Sequence, residues 1–161
     1  MHQNILVAYF SASGETAMLA KTIAAVTNGT LFEIQPKTAY TAADLNWNDT
    51  KSRSSIEMND KASRPPIAAK VENMEQYDTV FVGFPIWWYE APRIIQTFLE
   101  SYDFSHKTVI PFATSGGSGF GKTDSILQKS CSAQTKWCFG KRMSSRASQA
   151  DVQNWIKQLN L

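Results

Sequence analysis

A chain of 161 residues, 43% of them apolar, suits one domain with a real core, residues 1–161, and no apolar stretch is long enough for a membrane helix. Its net charge of +2 hides an uneven division: residues 1–103 carry 8 Lys/Arg and 12 Asp/Glu, whereas residues 104–161 carry 8 Lys/Arg and only 2 Asp/Glu. The basic residues of the second part include Lys136, Lys141, Arg142 and Arg146; they form no run and have little aromatic interleaving. That argues against a nucleic-acid surface and leaves a solvated face or a docking face for an acidic partner. Cys131 and Cys138 match no metal spacing and make no disulfide framework, so they read as reduced structural thiols. A strand begins almost at the first residue, leaving no room for a signal peptide, and the expectation is a soluble cytoplasmic protein with no membrane partner.

Ile5 to Phe10 is an apolar run that reads as a buried strand. It breaks into Ser11-Ala12-Ser13-Gly14-Glu15-Thr16, and Met18, Leu19, Thr22, Ile23 and Val26 then recur at helical spacing. Gly29 marks the end of that helix. Leu31 to Ile34 reads as a short strand ended by Pro36. Residues 37–66 are polar and hard to read; a helix from about Ala42 to Asn59 is expected, with Leu45, Ile56 and Met58 as anchors. Pro66 suits the first turn of another helix, carrying Ile67, Val71 and Met74.

Thr79 to Phe84 is a strongly apolar strand followed by Pro85-Ile86-Trp87-Trp88-Tyr89. A helix is expected from Pro92, burying Ile94, Ile95, Phe98 and Leu99. Thr108 to Ala113 is a further apolar strand, followed by Thr114-Ser115-Gly116-Gly117-Ser118-Gly119-Phe120-Gly121 and a helix from about Thr123 to Ser130. Lys136 to Phe139 reads as the last strand, and Val152, Trp155, Ile156 and Leu159 mark a final helix. Five apolar strands alternating with helices imply a parallel sheet covered on both faces. In such open sheets ligands bind beyond the carboxyl ends of the strands. With strand order 2-1-3-4-5, the loops after strands 1, 3 and 4 become neighbours.

Those three loops share one chemistry. A helix N-terminus presents unpaired N–H groups and the positive end of the helix dipole, so the Ser11–Thr16 turn suits a phosphate held by neutral donors; the same pattern also serves an ordinary N-capped connection. Aromatic residues in a water-facing loop suit a flat or apolar ligand, although either tryptophan alone could simply cover the end of the core. A glycine-rich loop can follow the polar edge of a heterocycle. A terminal phosphate and a flat, polar-edged ring together satisfy all three loops, and FMN is such a molecule.

On these residues the whole chain resembles a flavodoxin, most closely the short flavodoxin-like family of bacteria. The motif Ser/Thr-x-Ser/Thr-Gly-x-Thr is met by Ser11, Ser13, Gly14 and Thr16. The two ring loops are met by Gly83 to Trp88 and by Thr114 to Gly119. The resemblance implies a flavodoxin-like doubly wound five-stranded parallel sheet, order 2-1-3-4-5, with helices on both faces. It implies that Ser11, Ala12, Ser13, Gly14, Glu15 and Thr16 hold the FMN phosphate. Pro85, Ile86, Trp87, Trp88 and Tyr89, with Thr114, Ser115, Gly116, Gly117, Ser118 and Gly119, would frame the isoalloxazine, a tryptophan stacked on one face; Trp47 is a further candidate near the ring.

The implied function is one-electron transfer between redox partner proteins, a reductase and an acceptor, by a monomer or weak dimer. The alternatives are an NAD(P)H-dependent FMN quinone or flavin reductase and a flavin-free module. No catalytic acid, base or nucleophile stands out; His2 and His106 are isolated. The departure from the family is a pI near 8.5 where electron-carrying flavodoxins are acidic. Arg93, if near the ring, would favour the reduced anion and make the potential less negative.

Gly116 to Thr123 also fits a phosphate-binding P-loop. No later strand ends in an Asp to hold Mg²⁺, however, and nucleotide hydrolysis leaves the Ser11 turn and Trp87-Trp88 unexplained.

Overall fold

Side chains along the central strands alternate between two interiors. Leu6, Ala8 and Phe10 enter one apolar cluster, and Val7 and Tyr9 the other, as the two-residue period of a strand requires. The structure is a computed structural model that describes residues 4–115 and 120–161. Its elements are β1 (Ile5–Tyr9), α1 (Glu15–Thr27), β2 (Thr30–Glu33), α2 (Arg53–Asn59), β3 (Thr79–Pro85), α3 (Arg93–Glu100), β4 (Thr108–Thr114), α4 (Thr123–Gln128), β5 (Lys136–Trp137), β6 (Lys141–Arg142) and α5 (Gln149–Gln158). The sheet is parallel with order β2-β1-β3-β4-β5, and β6 also pairs with β4. Buried residues of α1 and α5, such as Leu19, Ile23, Val152 and Trp155, cover one face; Ile94, Ile95 and Phe98 of α3 and Leu127 of α4 cover the other. Gly83 stands opposite Phe112 in the β3–β4 pair, and a Cβ there would lie 2.1 Å from the Phe112 ring, so that ring lies on bare backbone. Among the described residues no helix is long and apolar enough to cross a membrane.

Three elements differ from the sequence-based expectation. The expected helix at 42–59 shrinks to α2, because polar side chains upstream capture backbone N–H groups locally. Thr41 and Asp44 form a reciprocal capping box, Thr41 N on Asp44 Oδ2 (2.9 Å) and Asp44 N on Thr41 Oγ1 (3.1 Å), that starts no more than a single turn. Asn48 N donates to Asn46 Oδ1 and Lys51 N to Asp49 Oδ1. Such bonds compete directly with helix formation.

The expected helix after Pro66 is absent apart from one 3₁₀ turn at Met74–Gln76. The backbone of 66–68 is instead paired to the exit of β2, with Lys37 N on Pro66 O and Ala68 N on Gln35 O.

The last strand is broken. From Val109 to Phe112 is three steps on β4, whereas the paired residues Trp137 and Lys141 are four apart, so one extra residue bulges out. Phe139 is left 81% exposed, while Gly140 N and Trp137 Nε1 both donate to Asp124 Oδ1 of α4.

The excursion between β2 and β3 is held by one buried cation. Arg93, only 2% exposed, donates from Nη2 to Met58 O (2.7 Å) and from Nε to Glu57 O (3.3 Å) at the end of α2. Its Nη1 donates to Glu90 Oε1 (3.0 Å) in an ion pair and to Gln96 Oε1 (3.4 Å). Sequence alone left open whether Arg93 lies near a ring; its donors are turned to α2 and its charge is balanced by Glu90. Beyond it, Arg53 lies 3.7 Å from the centre of the Tyr40 ring and pairs with Glu57, to which Tyr40 Oη also donates.

Removing a partner from a buried, hydrogen-bonded ion pair is strongly destabilising. Arg93→Ala is expected to lower unfolding stability by about 3–5 kcal/mol, read as a lower midpoint in denaturant. The two thiols behave as structural groups: burial, with Glu100 nearby, pushes Cys131 up to about 11, and burial also raises Cys138. Because the thiolate is the reactive form, iodoacetamide at pH 8 should alkylate Cys131 about a hundredfold more slowly than an exposed cysteine, with the rate rising as pH approaches 11.

Candidate functional site

The carboxyl ends of β1, β3 and β4 lie side by side, through the pairs Tyr9–Gly83 and Pro85–Thr114, and the chain leaving β1 and β3 meets the end of β4 at Thr114. Beyond β1, Gly14 caps α1 at φ 91°, a left-handed conformation, and a Cβ built on it meets nothing within 4 Å. Ser11 Oγ accepts from Gly14 N (3.0 Å) and Ala17 N (3.2 Å), so its hydroxyl closes the helix start from within. Glu15 N and Thr16 N, in the same turn, have no intrahelical acceptor. Ser13, Gly14 and Glu15 are exposed; Ser11 and Ala12 are half-buried. Thr16 is buried, and its hydroxyl shares a 2.8 Å hydrogen bond with Thr114 Oγ1 at the end of β4. Of Thr16, the main-chain N–H rather than the hydroxyl is available at this turn. The result is a shallow cradle of neutral donors over an open glycine, with the sign and space a phosphate needs.

Beyond β3 the chain turns sharply. Trp87 N donates to Glu90 O (2.8 Å) and Glu90 N to Trp87 O (3.0 Å), which makes Trp88 and Tyr89 the two central residues of a hairpin turn. Both have positive φ, 49° and 65°. A type I′ turn demands this and normally places Asn or Gly there; bulky aromatics in this region are genuine outliers. The turn is anchored at both ends. Trp87 is half-buried and meets Phe10 and Tyr40 edge-on, with ring centroids 5.7 and 5.6 Å away. Tyr89 O accepts from the buried Thr123 Oγ1 of α4 at 3.1 Å. Ile86 N donates to Thr114 O, tying the loop to β4.

Trp87 is thus part of the core's edge, whereas Trp88 and Tyr89 stand 44% and 65% exposed. Trp47, also exposed, lines a cleft of about 240 Å³ with Trp88, so it does approach the aromatic loop. Ser115 follows Thr114 at the end of β4; Gly116, Gly117, Ser118 and Gly119 lie outside the described residues.

The same geometry disposes of the P-loop match. The Thr123 hydroxyl that would face Mg²⁺ is buried and donates to Tyr89 O, and Asp124 is occupied by Trp137 and Gly140. Sequence reading missed Tyr40, Glu57, Glu90 and Thr123, which hold the aromatic loop in place. Only the Glu90-x-x-Arg93 spacing carried a signal for any of them.

The flavodoxin family's sequence profile matches residues 4–159. No curated protein matches the chain. Among solved structures, a protein provisionally named a flavoprotein from Bacteroides uniformis ATCC 8492 is 50% identical, with a TM-score of 0.91 over 98% of this chain and 99% of that one. Another with the same provisional name, from Bacteroides eggerthii DSM 20697, is 46% identical, with a TM-score of 0.93 over 98% of both chains. A flavoprotein solved in complex with FMN, from Lactobacillus acidophilus NCFM, shares the fold at 20% identity, with a TM-score of 0.72 over 99% of both chains. Matched along nearly its whole length and built on the β2-β1-β3-β4-β5 sheet, the chain belongs to the flavodoxin family.

Proposed function

We propose that this protein binds FMN at the carboxyl ends of β1, β3 and β4 and carries single electrons between partner proteins as a monomer or weak dimer. The observation that carries the reading is the juxtaposition of a neutral donor cradle at Gly14 with the exposed Trp88–Tyr89 turn at the ends of neighbouring strands. In this reading the N–H groups of Ser13, Glu15 and Thr16 bind the phosphate, with Ser11 holding the turn in shape through Gly14 N and Ala17 N and Ala12 leaving room beside it. Pro85 to Tyr89 and Thr114 to Gly119 frame the isoalloxazine, with Trp88 rather than Trp87 as the stacking partner, since Trp87 is already packed on Phe10 and Tyr40. FMN supplies the redox chemistry when bound; the chain's own residues orient it and exclude water from its ring. The FMN bound by the Lactobacillus relative and the family membership support the same cofactor.

The partners would be a reductase and an acceptor with acidic docking faces. β6 places the exposed Lys141 and Arg142 beside Phe112 and Ala113, at the end of β4 next to the candidate site. Arg146 shares a depression with both, and none of the three has a salt bridge among the described residues.

Purified protein mixed with FMN is expected to give two visible flavin bands shifted from those of free FMN; a spectrum identical to free FMN would sink the proposal. Ser11→Ala combined with Ser13→Ala should weaken FMN binding by about ten- to a hundredfold, the equivalent of one hydrogen bond to a charged group, and cost about 1 kcal/mol of stability through the lost cap. Bleaching of the bound flavin by NADH or NADPH alone would assign a reductase instead of a carrier. Oxidation of the reduced protein by anionic hexacyanoferrate(III) should slow about tenfold from low to high salt as the basic edge is screened. Lys141→Glu with Arg142→Glu should remove that dependence.

A further inference from the structure

A second cavity, of about 690 Å³, lies on the other side of the aromatic turn, between α3 and α4. Its volume is in the range of small-molecule sites, and no residue from 11 to 16 lines it. The two helices turn matching faces to it. Arg93, Gln96 and Glu100 on α3 and Lys122, Ile126 and Lys129 at α4 follow the three- and four-residue spacing of a single helical stripe. Trp88 and Tyr89 close one end with exposed aromatic surface, and the hydrogen bond from Thr123 Oγ1 to Tyr89 O fixes the turn against α4.

The charges around this groove are unbalanced in a definite way. Both of its carboxylates are already satisfied: Glu90 pairs with Arg93, and Glu100 pairs with Arg64 at 2.9 Å while also accepting from Ser130 Oγ. Lys61, Lys122 and Lys129 remain, and none of them has a salt bridge among the described residues. Three lysines without an ion pair among the described residues thus line the groove together with Trp88, Tyr89 and Ile126. Strained aromatics at positive φ persist where surrounding structure holds them and cluster at ligand clamps.

We propose that this groove is a small-molecule site separate from the flavin cradle, and that it takes a planar aromatic molecule bearing a carboxylate, sulfonate or phosphate. The ring would lie on the Tyr89 and Ile126 surface, where flat apolar contact excludes water, leaving Trp88 to the isoalloxazine. The anionic group would meet the lysines, an arrangement that rejects neutral analogues of the same shape. The proposal needs only the groove and holds whether or not the protein is an electron carrier.

Calorimetric titration with naphthoate and with its neutral amide, naphthamide, tests it, using protein saturated with FMN and, in parallel, flavin-free protein. At low salt naphthoate is expected to bind at least tenfold more tightly than naphthamide. Lys122→Glu with Lys129→Glu should abolish that difference, and Lys122→Arg with Lys129→Arg should keep it. Equal affinity for the two compounds, no binding of naphthoate, or naphthoate binding unchanged in the double-glutamate variant would overturn the proposal. Loss of naphthoate binding on saturation with FMN would overturn it too, because both ligands would then share one site. A protein that fails to take FMN but discriminates the two compounds would sink the flavin reading and leave this one standing.

Discussion

The buried guanidinium of Arg93 is the constraint on which the rest of the site depends. A charge taken out of water is tolerated only when paired and fully hydrogen-bonded, and Arg93 meets that demand with groups from three places: Glu90 in the aromatic loop, Gln96 on its own helix, and the carbonyls of Glu57 and Met58 at the end of α2. It also caps α2, giving Met58 O a partner and adding to the bond that Glu57 O accepts from Asp60 N. One side chain thereby couples the polar excursion after β2 to the loop after β3, and the aromatic surface at the site exists because both are held to α3.

That coupling explains how the Trp88–Tyr89 turn can persist. Non-glycine residues at positive φ carry a strain of about 1–3 kcal/mol each. Glu90 fixes one side of the turn through Arg93, Thr123 holds the Tyr89 carbonyl, and Trp87 is wedged against Phe10 and Tyr40. The result separates two environments. Toward β1 lies the donor cradle at Gly14; toward α4 lies a groove with an excess of lysine charge. The bands of neutral donors, aromatic surface and cations are set next to one another without any cation in the cradle itself.

The uneven charge of the chain also acquires a spatial meaning. Residues after 103 hold all of the excess positive charge, and in a sheet of order β2-β1-β3-β4-β5 those of β5 and β6 lie along one edge. The bulge at Cys138–Gly140 lets β6 rejoin β4 further along, so that Lys141 and Arg142 arrive at the carboxyl end of the sheet rather than in mid-edge. Not every basic residue contributes: Lys107 is tied down by the carbonyls of Met74 and Tyr77.

The strands, their parallel direction and the helix after Ser11 were legible in the residues alone, because they rest on local period and on turn chemistry, whereas the pairing order 2-1-3-4-5 came from the resemblance to flavodoxins. Ile5 to Phe10 can bury both faces only in a covered sheet, and Ser-x-Ser-Gly before an apolar stripe starts a helix. The region from Thr41 to Met74 was not legible, since Asp44, Asn46 and Asp49 satisfy backbone groups locally and Pro66 pairs with a strand exit far away in sequence. Nor could sequence tell that Trp87 packs inward while Trp88 and Tyr89 face out, that the Thr16 hydroxyl serves Thr114, or that Arg93 is enclosed. Local pattern determined which elements form and that they alternate into a parallel sheet. Which side chains remain free to meet a ligand was decided only by tertiary contacts, because each such side chain is claimed or released by partners from other elements.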